Sequence, residues 1–122
     1  MLQGDFYTIS SMTVEGNSLN AALAINAGHA IFEGHFPGQP VVPGVCMMQM
    51  VKELVESALA TPTRLVKADH LKFLSVIDPR QHPAIDAAVS YTIDEAGAIN
   101  ITGSLTKDEI TFLKIRARLE AE

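Results

Sequence analysis

The sequence predicts an α+β fold in which one mostly buried helix is wrapped by a single curling antiparallel sheet. Three observations lead there. Segments with alternating apolar and polar residues recur along the chain. Only residues 45–60 carry a helical apolar period. Just ahead of them, Pro37, Gly38, Pro40, Pro43 and Gly44 exclude regular structure from a loop of about ten residues.

In chain order, residues 6–14 read as a first strand, followed by a turn at Glu15-Gly16-Asn17. Residues 19–26 alternate apolar with small or polar side chains, as a half-buried strand does. Residues 30–33 are expected to form a short extended lead into the Pro/Gly loop. In the helix, Val45, Met47, Met48, Met50, Val51, Leu54, Val55, Ala58 and Leu59 cover most of the surface. Gln49, Lys52, Glu53 and Glu56 fall within one arc of about 100°. This predicts a buried helix with one polar stripe, ended by Thr61-Pro62. Residues 65–76 read as a long strand closing at Asp78-Pro79, and residues 84–94 as another, with a turn at Glu95-Ala96-Gly97. Residues 98–106 and 110–119 make a last hairpin around Lys107-Asp108-Glu109. At 122 residues, the chain is expected to be one domain with one hydrophobic core.

Composition narrows the function. Apolar residues make up 48% and charged residues 19%, ordinary for a globular protein. The absence of Trp and the net charge of −5 argue against a nucleic-acid-binding surface. Cys46 is the only cysteine, which excludes an intrachain disulfide and a Cys-rich zinc site and fits a reducing compartment. The four histidines show no paired spacing of the kind that holds a metal. Residues 1–10, MLQGDFYTIS, lack the basic start and apolar stretch of a signal peptide. No run approaches the roughly 20 apolar residues of a membrane span, so a cytoplasmic location is expected. All nine Lys and Arg lie at or beyond Lys52. Arg64, Lys67, Lys72, Arg80, Lys107, Lys114, Arg116 and Arg118 are therefore either solvated strand faces or a local basic patch for an acidic partner.

HFPGQPVVPGV, at residues 35–45, resembles the signature of the 3-hydroxyacyl-[acyl-carrier-protein] dehydratases of fatty-acid synthesis. A weaker similarity continues in KFLSVIDP, at residues 72–79. The resemblance implies a hotdog fold, a long central helix wrapped by a curved antiparallel sheet. It also implies elimination of water from 3-hydroxyacyl thioesters to give trans-2-enoyl thioesters. His35 would then be the base that takes the C2 proton, a task suited to neutral imidazole. The backbone N–H of Gly44, at the helix start, would hold the thioester oxygen. Phe36, Gly44 and Val45 would line the substrate site. The substrate would ride on the phosphopantetheine of an acyl carrier protein, with no other cofactor. Members of the family pair as dimers that join their sheets, with sites at the interface.

The chain departs from the family on the helix. Fourteen positions after His35, where the family has Glu or Asp, stands Gln49, and one turn later the family's common Gln is Glu53. An amide cannot deliver a proton, although it can hold a hydroxyl or a water. Glu53 lies on the same face about 6 Å further along the axis. It either reaches the substrate through a water or belongs to a plain polar stripe beside a Lys52–Glu56 pair. Cys46 is expected to be a small buried hydrophobe rather than a nucleophile. His29, His70 and His82 are expected in structural or surface roles. Three functions remain open: a dehydratase, alone or in a heteromer whose second hotdog chain carries the acid; a non-catalytic acyl-thioester-binding subunit; and a hotdog thioesterase.

Overall fold

The computed structural model describes residues 1–34 and 38–122. Alternating burial marks the strands: β1 (Tyr7–Glu15) and β2 (Ser18–Ile25) precede two helices, α1 (Ile31–Gly34) and α2 (Gly44–Leu59). Then come β3 (Thr63–Phe73), β4 (Ala84–Ile93), β5 (Ile99–Lys107) and β6 (Ile110–Ala121). They form a six-stranded sheet of order β1-β2-β4-β5-β6-β3, antiparallel at every step. Gly16, at φ +56°, lets β1 and β2 join through a two-residue turn. Because β2 and β3 lie near opposite ends of the sheet, α2 carries the chain across its inner face.

Period-two alternation decides which side chains meet α2. Ile85, Ala87, Val89 and Tyr91 of β4 are buried, whereas Asp86, Ala88 and Ser90 are exposed. Ile99, Ile101 and Leu105 of β5 and Leu113, Ile115 and Leu119 of β6 extend the same inner layer. It forms one core cluster with Met47, Met50, Val51, Leu54 and Val55 of α2.

Two expectations need correction. Residues 30–33 are not extended, since Ile31–Gly34 is a helical turn. His29 Nδ1 accepts the Ile31 N–H at 3.0 Å, and its Nε2 lies 3.0 Å from Asp5 Oδ2. The turn then drives Phe32 into the core against Phe6, with ring centroids 5.5 Å apart. Strand β3 also ends earlier than expected, at Phe73, because the Leu74 N–H turns to Phe112 O at 2.9 Å.

Strand β3 exposes more large apolar side chains than the other edge strand, β1. It is an edge strand, and only Thr63 of its residues is fully buried. Leu65, Val66 and Phe73 on it, and Leu74 and Val76 just beyond, leave apolar surface in water.

Helix α2 ends on Ala60 in the left-handed region, at φ 53° and ψ 41°. A Cβ is disfavoured there, whereas glycine is at ease. Ala60→Gly should therefore raise stability by about 0.5–1 kcal/mol, read from the urea midpoint. A lower midpoint would contradict this reading of the cap.

Candidate active site

The site is assembled where the Pro/Gly loop enters α2. Pro43 caps the helix with an extended backbone (φ −61°, ψ 146°), and no side chain bonds to this end. The Cys46 and Met47 N–H groups return to Pro43 O at 2.9 and 3.2 Å. The N–H groups of Gly44 and Val45 have no partner among the described residues. Two free donors at the positive end of a sixteen-residue helix make a place for a partially negative oxygen. Glycine keeps that place narrow: a Cβ on Gly44 would lie 2.8 Å from Cζ of Phe73. The Phe73 ring thus lies directly over the helix start, and being half exposed it can swing aside.

The two stretches that carried the family resemblance meet in space. Val42 N–H donates to Ile77 O at 2.9 Å, and Arg80 Nη1 to Gly38 O at 3.4 Å. Arg80 is itself held by Asp78, 3.1 Å away, and its guanidinium keeps the Asp78 carboxyl below the usual carboxylate range. His35, Phe36 and Pro37 lie outside the described residues.

One turn into α2 the polar stripe divides into two locked groups. Glu53 is 2% exposed and accepts four hydrogen bonds. They come from Leu2 N–H (2.8 Å), Gln3 N–H (2.9 Å), the Tyr7 hydroxyl (3.1 Å) and Gln49 Nε2 (2.8 Å). Burial, and then the Glu53 carboxylate, push the Tyr7 hydroxyl well above its ordinary range, so it stays a donor. The second group is the expected Lys52–Glu56 pair, at 3.0 Å. Burial by itself would raise the Glu56 carboxyl. The Thr63 N–H, the Lys52 ammonium and the Thr63 hydroxyl outweigh that and hold it below its ordinary value.

Between α2 and the inner layer of β3, β5 and β6 runs an apolar groove of about 230 Å³, lined by Val45, Met48, Leu65 and Ile115 with Gln49 and Lys52 as its polar members. No Asp or Glu is among the lining residues. A second, more open cleft of about 460 Å³ lies at Val42, Gly44, Met47, Phe73 and Val76. Val45, which lines the first of these, is 73% exposed. Cys46 faces inward, where burial pushes its thiol up. His82 packs edge-on against Phe112, and His70 lies exposed on β3 opposite Arg116. No group of three or more His, Cys, Asp or Glu that could hold a metal occurs among the described residues. The structure thus brings Gly44, Val45, Gln49 and Glu53 onto one helix. It adds Phe73 and Tyr7, which no local spacing in the sequence connects to that helix.

Residues 11–102 match the ApeI-like family, described as ApeI dehydratase. The chain belongs to that family. It is 36% identical over 64 residues to the 3-hydroxyacyl-[acyl-carrier-protein] dehydratase FabZ of Mannheimia succiniciproducens, a match covering 52% of this chain and 42% of that protein. FabZ of Haemophilus influenzae is 34% identical over the same length, covering 52% and 43%. The matched stretch is less than half the length of either relative. Among solved structures, the dehydratase heterocomplex ApeI:P from Xenorhabdus doucetiae aligns with a TM-score of 0.67 at 19% identity, over 91% of this chain and 95% of that one. Cj0977, a sigma28-regulated virulence protein from Campylobacter jejuni, aligns at 0.69 with 8% identity, over 97% and 85%. These likenesses establish the hotdog fold that the motif implied. No helix in the described residues is long and apolar enough to cross a membrane.

A depressed carboxyl adds stability above its unfolded value and loses it as pH falls through the folded one. Glu56→Gln should therefore cost about 1–2 kcal/mol at neutral pH, with the gap to wild type closing below pH 4.5, the ordinary value for this group. Urea titrations at both ends of that range test it, and a gap independent of pH would remove the assignment.

Proposed function

We propose that this ApeI-like chain is a hydro-lyase subunit acting on 3-hydroxyacyl thioesters. In the reaction, His35 takes a proton from C2, the C2–C3 double bond forms, and the C3 hydroxyl leaves as water with a proton from an acid. The thioester oxygen, which gains charge in the transition state, sits on the free Gly44 N–H at the start of α2. Phe36 and Val45 flank the acyl chain as it runs along the helix past Gln49. The observation that carries this reading is the uncapped helix N-terminus opening beside an apolar groove, on a loop with the dehydratase motif.

The acid comes from elsewhere. The groove has no carboxyl of its own, Gln49 is an amide, and both nearby glutamates are taken. The exposed apolar edge of β3 supports pairing with a second hotdog chain, which would cover Leu65, Val66, Phe73, Leu74 and Val76 and bring its own helix to the site. In that mixed dimer the partner supplies the carboxylic acid and this chain supplies His35 and Gly44. The acyl group is carried on phosphopantetheine by an acidic acyl carrier protein. Lys72, Lys107, Lys114 and Arg116, unpaired among the described residues, are the cations left to receive it. The chain acts in the cytoplasm and needs no further cofactor.

Hydration of a short 2-enoyl thioester, followed as loss of enoyl absorbance, tests this. The purified chain alone should turn over slowly, about 10²–10⁴-fold below its rate when paired with a second hotdog chain that carries the acid. His35→Ala should abolish turnover in both preparations. Full turnover by His35→Ala, or release of free acid and thiol instead, would overturn the proposal.

A further inference from the structure

The hydrogen bond between Gln49 and Glu53 decides which end of the Gln49 amide faces a ligand. Glu53 offers only acceptor oxygens, and three of its four bonds are made by donors outside α2: two backbone N–H groups and the Tyr7 hydroxyl. The fourth is Gln49 Nε2 on Oε2 at 2.8 Å. Turning the amide over would place Gln49 Oε1 against a carboxylate oxygen, acceptor on acceptor, with no proton between them. The amide nitrogen is therefore pinned to Glu53, and the carbonyl oxygen is the end left over. Gln49 lines the apolar groove, and Lys52, its other polar member, is a donor engaged by Glu56. Gln49 Oε1 is consequently the one side-chain oxygen acceptor among the groove's described lining residues.

We infer that Glu53 is a positioning residue that makes Gln49 an acceptor, so the groove selects acyl chains bearing a hydroxyl at C3 over those bearing a ketone. A hydroxyl donates to Oε1 and is held. A ketone presents a second acceptor and is repelled, and a saturated chain gains nothing at this point. The inference rests on the acyl-thioester reading above. It also gives the Glu–Gln exchange a consequence. With the family's order, a carboxylate would face the groove; with this order, the charge is buried against the N-terminal segment and only its orienting effect reaches the ligand.

The test compares non-hydrolysable pantetheine analogues with four-carbon acyl groups: 3-hydroxy, 3-oxo and saturated. Binding is measured by calorimetry on the chain as purified. In the wild type the 3-hydroxy analogue should bind about tenfold tighter than the 3-oxo one, as one net hydrogen bond allows. Glu53→Gln removes the charge that orients Gln49, so the ratio should fall toward one. Gln49→Met, which leaves Glu53 and its other donors in place, should also lose the ratio and remain folded. Equal wild-type affinities for the hydroxy and oxo analogues, or an unchanged ratio in either variant, would overturn the inference while leaving acyl binding intact. Failure of all three analogues to bind would overturn the acyl-thioester reading and the inference with it. The Gln49 side-chain amide resonances, which should move in Glu53→Gln without any ligand, report the orienting contact separately. No movement there would also overturn the inference.

Discussion

The rest of the structure depends on one buried carboxylate. Glu53 lies at the centre of α2, almost wholly out of water, and survives there because four donors converge on it. Three of them come from the first seven residues, so the N-terminal segment and the helix are bound through one functional group. A helix packed only by Met, Val and Leu side chains can rotate and slide at small cost. A helix with a charge that is satisfied in one orientation cannot. The rotation of α2 sets which residues reach the groove, and its axial position sets where the Gly44 N–H stands under Phe73. The cost of burying the charge is thus converted into precision at the other end of the same helix.

Much of this was legible in the sequence, for identifiable reasons. The alternation in β4, β5 and β6 and the helical period of α2 are local signals, and the strands and the helix follow them to within a few residues. The Lys52–Glu56 pair was legible because residues four apart share a helix face. The misses depend on contacts outside the segments themselves. Helix α1 depends on the His29 ring capping Ile31 and on a hole in the core for Phe32, and neither is written in residues 30–33. The end of β3 is set by a bond from Leu74 to Phe112, on a distant strand. The Glu–Gln exchange could be read from the sequence, but its meaning could not, because three of the four partners of Glu53 are 46 to 51 positions away.

The site is divided unevenly along the chain's surface. The helix start, the groove and the second cleft all open toward the β3 edge, where the apolar side chains are least covered. Elsewhere on the sheet exposed large apolar side chains are scattered singly, at Val14, Ile93 and Ile110. A hydrolytic or eliminating site built on one chain would be expected to hold its own acid. Here the carboxylates near the helix are used to hold the fold, which agrees with a site completed by a neighbour. Arg80 and Asp78, by tying Gly38 and the segment after β3 together, keep the motif loop near the same edge.

The central claim is that α2 presents two fixed contacts to an acyl thioester: a donor at Gly44 and, nearly a turn and a half further on, an acceptor at Gln49. A crystal structure with a 3-hydroxyacyl pantetheine analogue bound tests it most directly. The account predicts the thioester oxygen on the Gly44 N–H and the 3-hydroxyl about 2.7–3.0 Å from Gln49 Oε1, with Glu53 still bonded to Leu2, Gln3 and Tyr7. An acyl chain lying away from α2, or Glu53 released from the N-terminal segment to bond the hydroxyl itself, would contradict it.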